Sequence, residues 1–239
     1  AGGPIRRARG WRGAADRRWG SVNRQAGLFW NKTQGTPFYT PDLSRPANRD
    51  EWYRSHAGRI TWQISDKNKL NIFTDIKRDC VCESGGNSTT LGSGATNAQE
   101  AVQAWRLFPN GIVQATWTSP RTSRLLLEAG ATVVMFHYPM FLVPGVSEDF
   151  VSILEQSTNF RYNAPATYVP ERNKRDRYSQ RFALSYVTGS HAFKFGIQFH
   201  AGSDKTEVFR HGLVKRDQID AFFIYLQFQF IDIDVVRHH

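Results

Sequence analysis

Two cysteines offer the first chemistry to weigh. Cys80 and Cys82 flank Val81, with Asp79 and Glu83 on either side. A thiolate pair among carboxylates can hold zinc, but two thiols need two further ligands, and none lies nearby in the chain. A Cys-x-Cys bridge closes a tight ring, so pairing with a cysteine elsewhere in a longer chain competes with pairing to each other. The histidines are scattered at positions 56, 137, 191, 200, 211, 238 and 239. None has the i, i+4 helical spacing of a zinc hydrolase. His191 falls in an expected tight turn, where a structural role suffices. There is no Gly-x-Ser-x-Gly elbow and no phosphate-binding glycine loop. Gly85-Gly86 and Gly92-Ser93-Gly94 lie in a Ser/Thr/Asn/Gly-rich stretch that reads as a loop. No catalytic, cofactor-binding or metal-binding residue is assigned, and the chain is not read as an enzyme.

A basic arm offers the other chemistry. Arg6, Arg7, Arg9, Arg12, Arg17 and Arg18, interleaved with Trp11 and Trp19, have the types needed to hold phosphates and stack on bases. The charge is local, however. The chain has 239 residues and a formal charge of +10, from 31 Lys+Arg and 21 Asp+Glu. Residues 1–50 hold ten of those cations and three of those anions, hence +7 of the +10. Nucleic acid is therefore set aside as a partner, and residues 1–26 are read as a disordered or spurious arm. The remainder is not a disordered chain, because 13% of residues are aromatic. No stretch approaches the ~18 consecutive apolar residues of a membrane helix.

The elements that must position any site are strands. Arg59–Ser65 alternates strictly, with Ile60, Trp62 and Ile64 on one face. A short polar turn at Asp66-Lys67-Asn68 leads into Lys69–Lys77, which alternates again, so the pair reads as a hairpin. Gly111–Ser119 and Ser123–Val133 form a second hairpin about Pro120-Arg121-Thr122. Arg177–Val187 and His191–His200 form a third about Thr188-Gly189-Ser190. A further strand is expected near Ala221–Ile231, with a change of phase after Phe230 that either a bulge or a sequence out of its natural frame would explain. Turns within hairpins are about three residues long. Loops between hairpins are long, roughly 78–110 and 134–176. Short turns at one end and long loops at the other are the habit of outer-membrane barrels. Compact soluble domains rarely carry structureless loops of more than about 12–15 residues.

The fold class expected is all-β: an antiparallel transmembrane β-barrel segment of about six or seven strands, with long external loops and short periplasmic turns. One face then meets a wet lumen: Arg59, Gln63, Lys69, Asp75, Gln114, Arg124, Glu128 and Lys194. The other meets lipid: Ile60, Trp62, Ile64, Trp117, Leu125, Leu127, Phe193, Phe195, Ile197 and Phe199. Trp62, Trp117, Tyr186 and Phe199 are expected near strand ends, as interfacial aromatics are. Phe136, Tyr138, Phe141, Phe160, Tyr162 and Tyr168, in or bordering the second long loop, either touch a ligand or hold that loop together, and the second role is preferred. A soluble sandwich alternates in the same way, but the charge density of the polar face suits a wet lumen, and the aromatics near strand ends suit interfacial girdles.

Several segments, in order, resemble one family. They are Phe38–Ala47, Gly58–Ile64 with Lys67–Asn71, Cys80-Val81-Cys82, Gln114–Gly130 and Tyr186–Gly196. Together, over residues 27–202, they resemble the barrel of TonB-dependent outer-membrane receptors. The closest resemblance is to the Oar-like group, whose members often carry a carboxypeptidase-regulatory-like domain. The resemblance implies a barrel of about 22 strands in the Gram-negative outer membrane, plugged by an N-terminal domain and worked by TonB. The implied partners are outer-membrane lipid, a plug and TonB through other parts of a longer chain, and an unidentified transported ligand. No cofactor is implied. Residues 203–239 are expected to hold one further strand with weaker resemblance. The alternatives are a complete small outer-membrane barrel, or a soluble β binding module whose basic arm holds an anionic partner.

Overall fold

The computed structural model describes residues 2–8, 10–84, 96–170, 173–189, 191–210 and 213–234. Fourteen strands follow in order: β1 (Gly2–Ala8), β2 (Trp11–Asn31), β3 (Pro41–Ser65), β4 (Asn68–Ser84), β5 (Thr96–Asn97), β6 (Gln103–Pro120), β7 (Leu125–His137), β8 (Met140–Leu142), β9 (Ile153–Glu155), β10 (Phe160–Tyr162), β11 (Thr167–Tyr168), β12 (Asn173–Thr188), β13 (His191–Arg210) and β14 (Leu213–Asp234). One turn of 3-10 helix, Gln99–Ala101, interrupts them. Nine of the strands make an antiparallel meander in the spatial order β1-β2-β3-β4-β6-β7-β12-β13-β14. Small β8 and β11 join its long-loop end, and β5, β10 and β9 form a separate three-stranded sheet.

Register decides which side chains share a face, because directly paired residues of neighbouring strands point the same way. One line of pairs runs Trp62–Leu70–Trp117–Ala129–Phe182–Ile197–Phe228. The adjacent line, one residue on, runs Gln63–Lys69–Thr118–Glu128–Ala183–Gly196–Gln229. The first belongs to an apolar face and the second to a polar face, and the two-residue repeat carries this division along the strands.

Among the described residues, nothing covers the apolar face. Ile60, Trp62, Ile72, Val113, Phe182, Tyr186, Phe195, Ile224, Leu226 and Phe228 are all exposed. An uncovered apolar area across a whole sheet is an aggregation hazard in water and a requirement in lipid. The buried core lies elsewhere, at the long-loop end. Trp30, Val102, Ala104 and Val143 form one cluster there, and Tyr138, Met140 and Val169 another. The strands are thus a wall, and the loops are a packed cap at one end of it.

Several expectations need correction. Residues 11–26 are not a loose arm: Trp11–Gln25 pair residue by residue with Asn48–Trp62, which places this stretch inside β2. The basic side chains hid the strand because the period-two pattern is carried by Trp11, Gly13 and Ala15, of which two are small. The meander has nine strands rather than six or seven. The strands also run further than their apolar stretches. β4 reaches Ser84 and β6 starts at Gln103, while β7 ends at His137 and β12 starts at Asn173, so both loops are shorter than expected. Phe199 lies mid-strand because β13 continues to Arg210. β14 pairs with β13 without a shift from Asp234 to Arg216, so no bulge follows Phe230, and Ile231 and Ile233 take polar-face positions. Val235–His239 lie outside the described residues.

Gly111 marks a close approach of two strands. A methyl there would run into the carbonyl oxygen of Asp75 on β4. Gly58, on the same face, has only Thr74 Cγ2 at 3.7 Å and a carbonyl at 4.0 Å from such a methyl. Gly111→Ala is expected to destabilise the protein by about 1–3 kcal/mol through overpacking, and Gly58→Ala far less. Urea midpoints of the two variants in detergent check this, and equal midpoints would contradict it.

Candidate functional site

Two regions can do chemistry: the polar face and the cap. On the polar face, side chains tie strand to strand. Ser55 Oγ donates to Asp75 Oδ1 at 2.6 Å, Thr61 Oγ1 to Asn71 Oδ1 at 2.9 Å, and Gln114 Nε2 to Thr132 Oγ1 at 3.2 Å. The Arg59 guanidinium sits 5.5 Å from the Phe73 ring, its direct partner across β3 and β4. Lys194 on β13 reaches across β12 to Glu128 on β7 at 3.5 Å. It can do so because Ala183 and Gly196, paired between them, leave the surface low. The same dip is a cavity of about 180 Å³ lined by Glu128, Arg181, Lys194, Gln198 and Gln227. Charged groups of both signs at this density make a wet surface that a polar body can pack against.

The structure brings the expected residues together with few exceptions. Arg59, Gln63, Lys69, Asp75, Gln114, Glu128 and Lys194 share the polar face by register. Arg124 does not belong to the ladder. It lies in the bend before β7, where its carbonyl accepts from Val187 N–H at 2.9 Å. Ile60, Trp62, Trp117, Leu125, Leu127, Phe193, Phe195, Ile197 and Phe199 share the apolar face. Ile64 falls in the register shift between Gln63 and Ser65 and has no direct partner. Cys80 and Cys82 are joined to each other in a disulfide, with Cα atoms 5.1 Å apart. That corrects the expectation of a remote partner as an equal choice, and it leaves neither thiol for a metal. His191 opens β13 instead of lying in the turn, stacked on Phe193 at 5.9 Å.

The cap joins three loops through one carboxylate. Glu100, fully buried, accepts the Asn31 N–H at 3.2 Å and the Asn163 N–H at 3.3 Å. Asn31 turns its own side chain to the 32–40 loop, accepting from Thr40 N–H at 2.9 Å and donating to the Phe38 carbonyl at 2.9 Å. Asn163 Oδ1 accepts from Gly35 N–H at 2.6 Å, and its amide donates to the Val151 carbonyl at 2.8 Å. Asn163 has φ 75°, a left-handed value that asparagine tolerates better than most residues. Burial pushes the Glu100 carboxyl above the usual carboxylate range, against the pull of the N–H groups it accepts. Arg161, on β10 just before Asn163, is lowered by burial.

Aromatic rings close the cap. Tyr39 meets Phe160 edge-on at 4.8 Å and Tyr162 at 5.5 Å. Tyr39 OH donates to the Phe29 carbonyl and Tyr162 OH to the Pro37 carbonyl, both at 2.9 Å. Burial, then the Glu100 charge, raises Tyr39 to about 12. Phe136 stacks on Tyr138 and Tyr168 on Phe209. Phe141 packs against the Trp30 cluster. The six aromatics singled out from the sequence are thus engaged in holding the loops. Sequence reasoning missed Glu100, Asn31 and Asn163 altogether. Nothing in the local pattern distinguishes them, since their partners are 63 to 69 residues away.

An up-and-down antiparallel meander with an uncovered apolar face, a charged opposite face, short turns at one end and a packed loop cap at the other has the architecture of a segment of a transmembrane β-barrel wall. Among solved structures, the outer membrane transporter YddB from Escherichia coli is similar, with a TM-score of 0.50 over 97% of this chain at 11% identity. The chain spans 31% of the length of that transporter chain. At that identity the likeness is one of fold. No family model and no curated protein sequence matches the chain.

Proposed function

We propose that the chain is part of the barrel wall of a TonB-dependent outer-membrane transporter or receptor that takes up an unidentified substrate. The observation that carries this reading is the pairing of an uncovered apolar face with a charged face over the whole meander. The fold shared with an outer-membrane transporter supports it. In this reading the apolar face meets lipid and the polar face meets the lumen. A plug packs on the dip at Glu128, Arg181 and Lys194, and the cap forms part of the outer mouth. Among the described residues, the outer edges of β1 and β14 pair with nothing. Lipid leaves no water for free backbone groups, so further strands must continue the sheet on both sides. This disfavours a small barrel closed by these strands alone, and the exposed apolar face disfavours a soluble module.

The test is uptake by cells making the full-length protein, with and without TonB. Ferric siderophores, oligosaccharides, peptides and cobalamin are offered in turn. Uptake of one class that stops without TonB is the expected result. Equal uptake without TonB would remove the energy-coupled reading, and no uptake of any class would remove the transporter.

A further inference from the structure

A patch of the polar face on β12, β13 and β14 lies between the dip and the cap. Two adjoining lines of pairs build it: Ser179–His200–Tyr225, and Arg177–Gly202–Phe223 one row nearer the long loops. Gly202 makes the second row flat. A methyl there would run into the Phe223 ring, so the ring lies across the β13 backbone, with the Arg177 guanidinium 6.0 Å from its centre. Tyr225 lies beside the His200 ring at 6.3 Å. Both rings stay open: Phe223 is 49% exposed and Tyr225 58%. They stand two residues apart on one strand face, about 7 Å, and so present two ring faces in a row.

The charged groups around the patch are unevenly engaged. Arg175, the next cation along this face of β12, holds Asp204 at 2.8 Å and sits over the Tyr138 ring. Toward the short turns, Glu128 is taken by Lys194 at 3.5 Å. Asp176 belongs to the other face and meets His137 at 2.9 Å. Arg177 is exposed and makes no ion pair among the described residues. The hydroxyls of Ser179 and Tyr225 make no hydrogen bond there either. The patch thus combines two open rings, one unanswered guanidinium and several unused polar atoms.

We propose that this patch binds an acidic oligosaccharide in the lumen. The inference rests on the transporter reading above and names a substrate class for it. A pyranose ring has an apolar C–H face and a rim of hydroxyls. The face covers an open aromatic ring, and the rim needs hydrogen-bonding partners beside that ring. Phe223 and Tyr225 supply the ring faces. Ser179, His200 and the Tyr225 hydroxyl supply the partners. A single planar aromatic ligand fits less well, because it gains most from a slot that takes both its faces, and these two rings lie side by side. Arg177 sets the sign of the charge. Its two parallel donors match a carboxylate, and there is no protein anion to displace.

The test is titration calorimetry on the full-length protein in detergent, with tetragalacturonate, its uncharged methyl ester and salicylate as probes. Tetragalacturonate should bind, and the ester at least about tenfold more weakly. Arg177→Gln should weaken the acid by a similar factor and leave the ester unchanged. Phe223→Leu, which keeps an apolar cover over Gly202, and Tyr225→Leu should each weaken both sugars by about threefold to tenfold. Lys77→Gln, on the same face three strands away, should change neither. The site is overturned if the wild type does not bind tetragalacturonate, if Arg177→Gln binds the acid as well as the wild type does, or if both leucine variants bind the sugars normally. Tighter binding of salicylate than of the sugar would also overturn it and mark an aromatic-acid site. The transporter reading fails separately. Tetragalacturonate binding without TonB-dependent uptake would keep the site and remove the transporter. TonB-dependent uptake of another class without tetragalacturonate binding would do the reverse.

Discussion

Arginine at Ile197 is expected to block entry of the protein into lipid, while arginine at Gln198 is expected to be tolerated. The two positions are adjacent in β13 and lie at nearly the same depth. Ile197 pairs with Phe182 on one side and Phe228 on the other, in the middle of the apolar band. Gln198 pairs with Arg181 and Gln227 beside the polar cavity. An arginine at the bilayer midplane of a barrel's lipid face costs about 2–4 kcal/mol. The same side chain on the wet face keeps its hydration and costs on the order of a surface change, within ~0.5 kcal/mol. Refolding the full-length protein from urea into phosphatidylcholine liposomes, followed by the heat-modifiable shift on gels, measures both. Equal losses in the two variants would mean that the faces are not solvated differently, and the assignment of lumen and lipid would be wrong.

How much of this was legible in the sequence follows from the range of the interactions involved. The hairpins from Arg59 to Lys77, from Gly111 to Val133 and from Arg177 to His200 were legible because alternation is local. A period of two in one strand already says which residues share a face, and register then only confirms the pairing. Seven of eight expected polar-face residues and nine of ten apolar-face residues fall on their ladders for that reason. Arg124 and Ile64 do not, because each sits where a turn breaks the period.

Residues 11–26 were misread for a physical reason too. The apolar face there uses Gly13 and Ala15 where other strands use Ile or Phe, and Arg17 takes the next position on that face. Each choice weakens the alternation exactly where a strand was present only by virtue of its pairing with β3. The cap was the least legible part. Its centre is a glutamate whose two donors come from the end of β2 and from the loop after β10. Contacts of that separation leave no periodic trace. The disulfide lay in between: the spacing allowed it, and only the β4 backbone decided it.

Glu100→Ala is expected to loosen the cap without unfolding the wall. The two chemistries are separable because the wall is held by ladder hydrogen bonds, whereas the cap is held by side chains converging on one buried carboxylate. Removing that carboxylate leaves the Asn31 and Asn163 N–H groups without an acceptor in a buried site. Each such orphan costs about 1–3 kcal/mol, so the opening free energy of the cap should fall by about 2–6 kcal/mol, toward the low end if water enters. Glu100→Gln keeps one carbonyl and should cost roughly half as much. The pH dependence runs in a defined direction. Burial raises the Glu100 carboxyl in the folded cap, so the folded form favours the proton. That contribution is complete below the ordinary carboxylate range and is lost as pH rises through the raised value. Amide exchange at Asn31 and Asn163 in the full-length protein, corrected for intrinsic rates, should therefore slow in mild acid. In Glu100→Gln the slope with pH should vanish. A cap that opens no faster in Glu100→Ala would show that the aromatic contacts of Tyr39, Phe160 and Tyr162 hold it alone. A slope of the opposite sign would mean that the two N–H bonds to the carboxylate outweigh its burial.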